Sequence, residues 1–407
     1  MRGISAAAVL CAAAVLCCSC YDSREIDETA YIIAVGIDDA EDGNFKYTFQ
    51  FAAPNETDGG GGDGGDGENA EDGGIADSGN PSVKNTVIKA PDFYVAKNMI
   101  NNFLSKNIDM SHLKMIVFSG SADSDAQTMH SQLFLHEREI RPHTAVAAAE
   151  RSAEEYLRCV NPEPEINTAK YYELMSLRSN NIYAPSKRLR DFVDESADGG
   201  DSVLPIACTA KYEAADEHGA DGSTDGGWIE SGDSHVSSAR SDLRGMAVFK
   251  KGRPAGTMDG DCALVFNILK RDIKKCTVSV RSRHKADETV TFRIFVPCAA
   301  KYSVRDEGGR LKIGVTQRLN AEYIGGRLPD GYSSYDELFS DLRAAAEKKF
   351  SDFLYSVSHE LNADILGIEK MYRGHFLTWK EKENFGWDKK FSNAEFDVKL
   401  EIVREVE

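Results

Sequence analysis

The stretch 31-YIIAVGIDDAEDGNFKYTFQFAAP-54 decides how the fold begins. An apolar run ends at Asp38, a turn-rich Ala40-Glu41-Asp42-Gly43-Asn44 follows, and a second strand-like run opens at Phe45. Two such runs around a short polar turn read as a β-hairpin. Beyond it, helical and strand-like segments alternate. Residues 91-PDFYVAKNMINNFLSK-106 place Val95, Met99, Ile100 and Phe103 at helical spacing, the expected buried face. A strand is expected at 113-LKMIVFS-119, a helix near 124–137, a strand at 143-HTAVAAA-149 and a helix at 152-SAEEYLRC-159. That alternation is an α/β unit.

A second unit starts at 203-VLPIACTAKY-212 and resumes at 244-RGMAVFKKGRPAGTMDGDCALVFNILK-270. It reads as strand, Lys-Lys-Gly turn, strand, and a helix opened near Asp259. The third starts at about 275, with strands at 288-ETVTFRIFV-296 and 311-LKIGVTQRL-319. Its long helix begins at Ser334 with a capping box completed by Glu337. Leu338, Leu342, Ala346, Phe350, Leu354, Val357 and Leu361 line one face of it. The last strand, 396-FDVKLEIV-403, is expected to bury Phe396, Val398, Leu400 and Ile402. The fold class is therefore α+β, with mixed α/β order and three serial domains: 20–200, 201–274 and 275–407.

Residues 1–19 precede these domains and read as a lipoprotein signal peptide. Met1-Arg2-Gly3 is followed by an apolar run from Ile4 to Cys18, broken only by Ser5. A basic start and a short apolar core mark a secretory signal, and the run falls short of the roughly twenty residues a membrane span needs. Cys20, preceded by Ser19 and nearest the polar sequence, is the expected lipidation site. Cys18, after Val15-Leu16-Cys17, is the alternative. Cys17 stands where a lipoprotein signal usually has Leu or Val. Two or three acyl chains would anchor the chain without any spanning helix.

The net charge of −18 says little about a binding face once it is located. Residues 55–80 hold eight acidic side chains and residues 212–235 seven, neither stretch holding Lys or Arg, so only −3 remains for the rest. Insertions at 55–80 and 212–243, rich in Gly and Asp, have little to bury and are expected to be disordered. No basic stripe with interleaved aromatics points to nucleic acid. The five cysteines beyond the signal, Cys159, Cys208, Cys262, Cys276 and Cys298, are scattered and odd in number. They indicate neither a zinc site nor a disulfide framework.

Four stretches resemble the Ger(x)C family, the lipoprotein C subunits of nutrient germinant receptors in endospore-forming bacteria. They are 20-CYDSREIDE-28 with 31-YIIAVGID-38; 112-HLKMIVFS-119 with 138-REIR-141; 245-GMAVFKKGRPAGTMDG-260; and 361-LNADILGIEKMY-372 with 395-EFDVKLEIV-403. They follow the family's order along nearly the whole chain; the Gly/Asp insertions and extra cysteines depart from it. The resemblance implies a three-domain lipoprotein on the outer face of the spore inner membrane, beside two integral-membrane subunits of the A and B types. It supplies no catalytic residue.

The residues themselves agree. No H-E-x-x-H occurs, and 136-HERE-139 lacks the second histidine of a helical zinc site. His112 and His375 read as structural. There is no G-x-S-x-G, and 59-GGGGDGGDG-67 lacks the apolar residues of a calcium repeat and the Lys-Ser or Lys-Thr of a phosphate loop. No metal or cofactor is indicated. An envelope hydrolase would need a nucleophile–base or metal constellation, and a lipid-anchored solute-binding protein would need two lobes around a cleft. The richest surface candidate is 371-MYRGHFLTWKEKENFGWDKKF-391. There Tyr372, Phe376, Trp379 and Trp387 lie among basic residues, either packed against the long helix and last strand or partly exposed to a membrane partner.

Overall fold

In a computed structural model the chain is described over residues 28–53, 83–120, 126–162, 167–177, 181–197, 199–209, 224–225, 228–229, 241–285 and 288–405. Cys20, the signal segment and the insertion 55–80 lie outside the described residues.

The opening hairpin forms as expected: β1 (Thr29–Asp39) pairs antiparallel with β2 (Phe45–Ala52). It continues to β3 (Val83–Ala90). On the other side of β1 the sheet turns parallel, through β5 (Met115–Phe118), β6 (Ala145–Ala149) and β7 (Ser202–Thr209). The short β4 (Asn107–Asp109) adds to the start of β1. Every residue of β5 and β6 is buried, because helices cover both faces, as a parallel sheet requires. One face carries α1 (Phe93–Phe103), α2 (Ala126–His136) and α5 (Leu189–Ala197); the other carries α3 (Ala153–Cys159) and α4 (Thr168–Leu177). α3 sits very close to β1: a Cβ on Gly36 would meet Ala153 Cβ and Leu157 Cδ1 at 3.0 Å. Asp38, buried at the end of β1, fixes that approach. Its carboxylate accepts from Ala153 N at 2.7 Å, Glu154 N at 2.9 Å and Ser152 Oγ at 3.0 Å, satisfying orphan amides at the helix start.

α1 turns a different face inward from the expected one. Phe93, Ala96 and Ile100 are buried, whereas Val95, Met99 and Phe103 are exposed. Both sets obey helical spacing, and Phe93 wins by packing edge-to-face on Phe134 at 4.7 Å.

The segment 201–274, expected as a unit of its own, is divided. Its strands β7, β10 (Ser241–Lys250) and β11 (Arg253–Met258) extend the first sheet. The Lys-Lys-Gly turn between β10 and β11 places Lys251 and Gly252 at φ 52° and 81°, the backbone of a two-residue hairpin turn. Its helix α6 (Gly260–Lys270), N-capped by Asp259, is buried almost all round and belongs to the second core. The second insertion is not featureless either. β8 (Thr224–Asp225) and β9 (Trp228–Ile229) form a small ladder, and Trp228 is buried opposite Val280 with Nε1 3.3 Å from Asp261 Oδ1. One large aromatic is enough to draw this part of a Gly/Asp-rich segment onto the sheet.

The second sheet is built from β12 (Lys275–Arg281), β13 (Thr289–Phe295), β14 (Lys301–Glu307), β15 (Arg310–Tyr323) and β16 (Glu395–Arg404). It buries one face, so β12 and β13 alternate: Cys276, Val278 and Val280 point inward, as do Val290, Phe292 and Ile294. Against it lies α7 (Tyr335–Tyr355), whose cap Ser334 accepts from Glu337 N at 3.3 Å. Glu337 reaches back to Ser333 N at 2.9 Å, one residue earlier than an ideal capping box. The predicted apolar face is buried from Leu338 to Val357, the last turn winding into a π-helix at 356–360, with Leu361 half-buried. β16 runs parallel to β15 and buries fully only Leu400; Phe396, Val398 and Ile402 are half-buried against the core. It is an edge strand, so water reaches past it.

Candidate functional site

Between the end of α7 and β16 the chain forms three short helices: α8 (Ile368–Tyr372), α9 (Trp379–Phe385) and α10 (Trp387–Phe391). Asp364 organises the start. Its carboxylate accepts from Ile368 N at 2.9 Å and Glu369 N at 2.6 Å, capping α8. Its own amide donates to Asp201 Oδ2 at 2.6 Å, while Asp201 Oδ1 accepts from Lys251 N at 3.0 Å. Lys251 Nζ then reaches Asp388 Oδ2 on α10 at 2.5 Å. The loop before β7, the β10–β11 turn and the C-terminal helices are thus tied in one polar junction. Burial pushes the Asp364 carboxyl up to about 7, and burial likewise raises Asp201.

Sequence reading missed this junction. The signal was available in 361-LNADILGIEKMY-372: an aspartate inside an apolar run, four residues before a helix, is a cap whose carboxylate is buried.

The aromatic segment splits in two. Trp387 is buried, stacked on Phe391 with centroids 6.1 Å apart and 5.9 Å from Tyr372. Tyr372 and Phe376 are half-buried, with Phe376 edge-on to Tyr372 at 5.5 Å. Trp379 is the opposite case, 66% exposed, with Leu377 two residues earlier at 93%. The Trp379 ring is not loose. Lys382 Nζ lies 4.7 Å over it, and its indole N–H donates to Glu383 Oε1 at 2.7 Å. Thr378 caps α9 by accepting from Glu381 N at 3.2 Å. An open groove of about 700 Å³ runs past Trp379, Phe385 and Trp387 to Lys251 and Lys389. Aromatic residues, a rim of mixed charge with Glu369, Glu383 and Asp388 beside the lysines, and an exposed apolar edge suit a protein surface more than a small-molecule cleft.

The other candidates are structural in their surroundings. His112 is edge-on to Tyr31 at 4.7 Å, and His375 stacks on Tyr372 at 4.3 Å. His284 faces Glu337 at 3.2 Å. Among the described residues no group of three or more His, Cys, Asp or Glu is placed to hold a metal ion. Cys208, Cys262, Cys276 and Cys298 are free. Burial pushes the thiols of Cys208 and Cys276 up to about 12 and raises Cys262, the reverse of an activated nucleophile.

Two family models match the chain. Residues 22–207 match the family model of the spore germination protein N-terminal domain. Residues 244–404 match that of the spore germination B3/GerAC-like C-terminal domain. No curated protein matches the chain. Among solved structures, the crystal structure of the GerBC protein superposes with a TM-score of 0.53 over 91% of this chain and 97% of that one. At 14% identity that likeness speaks for the fold.

Proposed function

The chain belongs to the Ger(x)C family of spore germination proteins, the C-subunit type of germinant receptors, and from that premise we propose a finer reading. The protein is a non-enzymatic lipoprotein, anchored through Cys20 on the outer face of the spore inner membrane. It acts by assembling with two integral-membrane subunits, of the A and B types, and by coupling their signal. The observation that carries this reading is the pair of ordered domain matches from residue 22 to 404.

Three features support the finer points. No helix among the described residues is long and apolar enough to cross a membrane, so in this reading attachment falls to the lipid. The buried thiols and engaged histidines suit a scaffold. In the same reading the segment 201–274, expected as a middle unit between 20–200 and 275–407, couples the other two. It lends strands to the first sheet and a helix to the second core. The exposed edge of the aromatic segment, Trp379 with Leu377, is the surface we assign to the membrane subunits, with Tyr372, Phe376 and Trp387 as its support.

Spores lacking only this protein test the assignment. They should lose the response to one class of nutrient while non-nutrient triggers still work, and a normal nutrient response would sink it. Cys20→Ala should abolish lipid labelling and release the protein from the membrane. Labelling that survives Cys20→Ala and disappears in Cys18→Ala would move the anchor.

A further inference from the structure

The outward stripe of α1 is a second uncovered apolar surface. Val95, Met99 and Phe103 recur every four residues, and Phe103 is 75% exposed. At about 100° per residue the stripe lies about a quarter-turn from the buried Phe93, Ala96 and Ile100. Lys97 sits on the other flank, where its ammonium pairs with Glu137 and Glu139 beyond α2. The stripe is therefore on the side turned away from α2. No acidic side chain lies within α1, and Asn98, Asn101 and Asn102 are its other exposed polar residues.

Its position adds the second observation. Four residues after Phe103, Asn107 pairs with Thr29 at the start of β1. Four residues span at most about 15 Å, so Phe103 lies at the end of the sheet where the chain arrives from its N-terminus. From Cys20 to Thr29 is nine residues, a reach of at most about 30 Å. Exposed Lys106 comes three residues after the helix. Exposed Lys84 is at the same end, since it pairs with Phe51, which pairs with Ile32. Of the nearby acids, Asp109 is turned to Ser111 N at 2.7 Å, and Glu28 is exposed.

We propose that this stripe rests in the headgroup layer of the phospholipid bilayer to which Cys20 tethers the chain. The inference depends on the anchored reading above. A narrow apolar stripe with neutral and basic neighbours is what a helix lying in the bilayer interface presents, and Lys84 and Lys106 match anionic headgroups. The lipid alone is a single point of attachment. With the stripe as a second contact, the first sheet is held at one orientation.

The test uses the full lipidated chain, reconstituted into vesicles of phosphatidylcholine and phosphatidylglycerol brominated near the top of the acyl chains. Phe103→Trp and, on the opposite flank, Tyr94→Trp each add one indole to the same background. The added emission at 103 should be quenched at least twofold more than that at 94. Vesicle flotation is read on the same samples. A chain that does not float overturns the anchored reading and this one with it. Flotation with equal, weak quenching at both positions overturns the stripe alone. In that case, loss of a detergent-stable dimer, or of captured membrane subunits, in Phe103→Asp would assign the stripe to a second copy or to a protein partner instead.

Discussion

The two sheets bury their strands in different ways, and the difference decides what each tolerates. In the first, β5 and β6 are buried at every position because helices lie on both faces. In the second, β12 buries Cys276, Val278 and Val280 while Thr277 stays exposed. A strand covered twice has no permissive position; a strand covered once has one at every second residue. The largest effect follows. Val117→Asp, which buries a carboxylate between two layers, should abolish cooperative unfolding or cost more than about 4 kcal/mol. Thr277→Asp should cost less than about 1 kcal/mol, since its cross-strand neighbour is Arg293. Equal thermal melts for the two variants would break the comparison.

The first sheet also depends on a polar pin. Asp38 satisfies two amides and a hydroxyl at the start of α3. Asp38→Ala should cost about 2 kcal/mol in denaturant unfolding, because it orphans the Ala153 and Glu154 amides at the start of α3. Asp38→Asn keeps one acceptor and should cost less. A neutral Asp38→Ala would show that α3 is held by packing on Gly36 alone.

Where the sheets meet, Asp364 makes the comparison pH-dependent. Burial holds its carboxyl near 7 in the folded chain, against about 4 unfolded. Its proton is bound more tightly in the folded state, so this contribution to stability is complete below about pH 4. It is lost as pH rises towards 7. Raised Asp201 acts in the same direction. Asp364→Asn should flatten that dependence, measured as unfolding free energy between pH 4.5 and 7.5. An unchanged slope would show that the junction is ionised and solvated.

Much of the fold was legible because its signals are local. The hairpin at 31–54, the cap at Asp259 and the apolar face from Leu338 to Val357 each rest on spacing or on one residue's chemistry. What was not legible depended on tertiary choice. α1 has two apolar faces of equal periodicity, and only Phe134 on another helix decides which goes inward. The segment 201–274 carries no mark that its strands join a sheet begun at residue 29, since sheet order is set by long-range pairing. Trp228 lies in an acidic, glycine-rich stretch expected to be disordered and is a core residue. At the candidate site the pattern of aromatics was readable, but not which of them are buried.

That last question yields, at Trp379, the smallest expected change in stability. Trp387 and Trp379 are eight residues apart in one basic, aromatic segment, yet one is 6% exposed and the other 66%. Trp387 contributes packing against Tyr372, Phe385 and Phe391, so Trp387→Ala should lower stability by about 3–5 kcal/mol. Trp379 contributes one exposed cation–π contact and one exposed hydrogen bond, and Trp379→Ala should change stability by less than about 0.5 kcal/mol. If this edge meets the membrane subunits, the same substitution should cut their capture from detergent-solubilised spore membranes several-fold, since exposed tryptophans dominate interface energies. Full capture by a stably folded Trp379→Ala chain would move the partner surface elsewhere. Unfolding in that variant would instead make Trp379 a structural residue, like its neighbour.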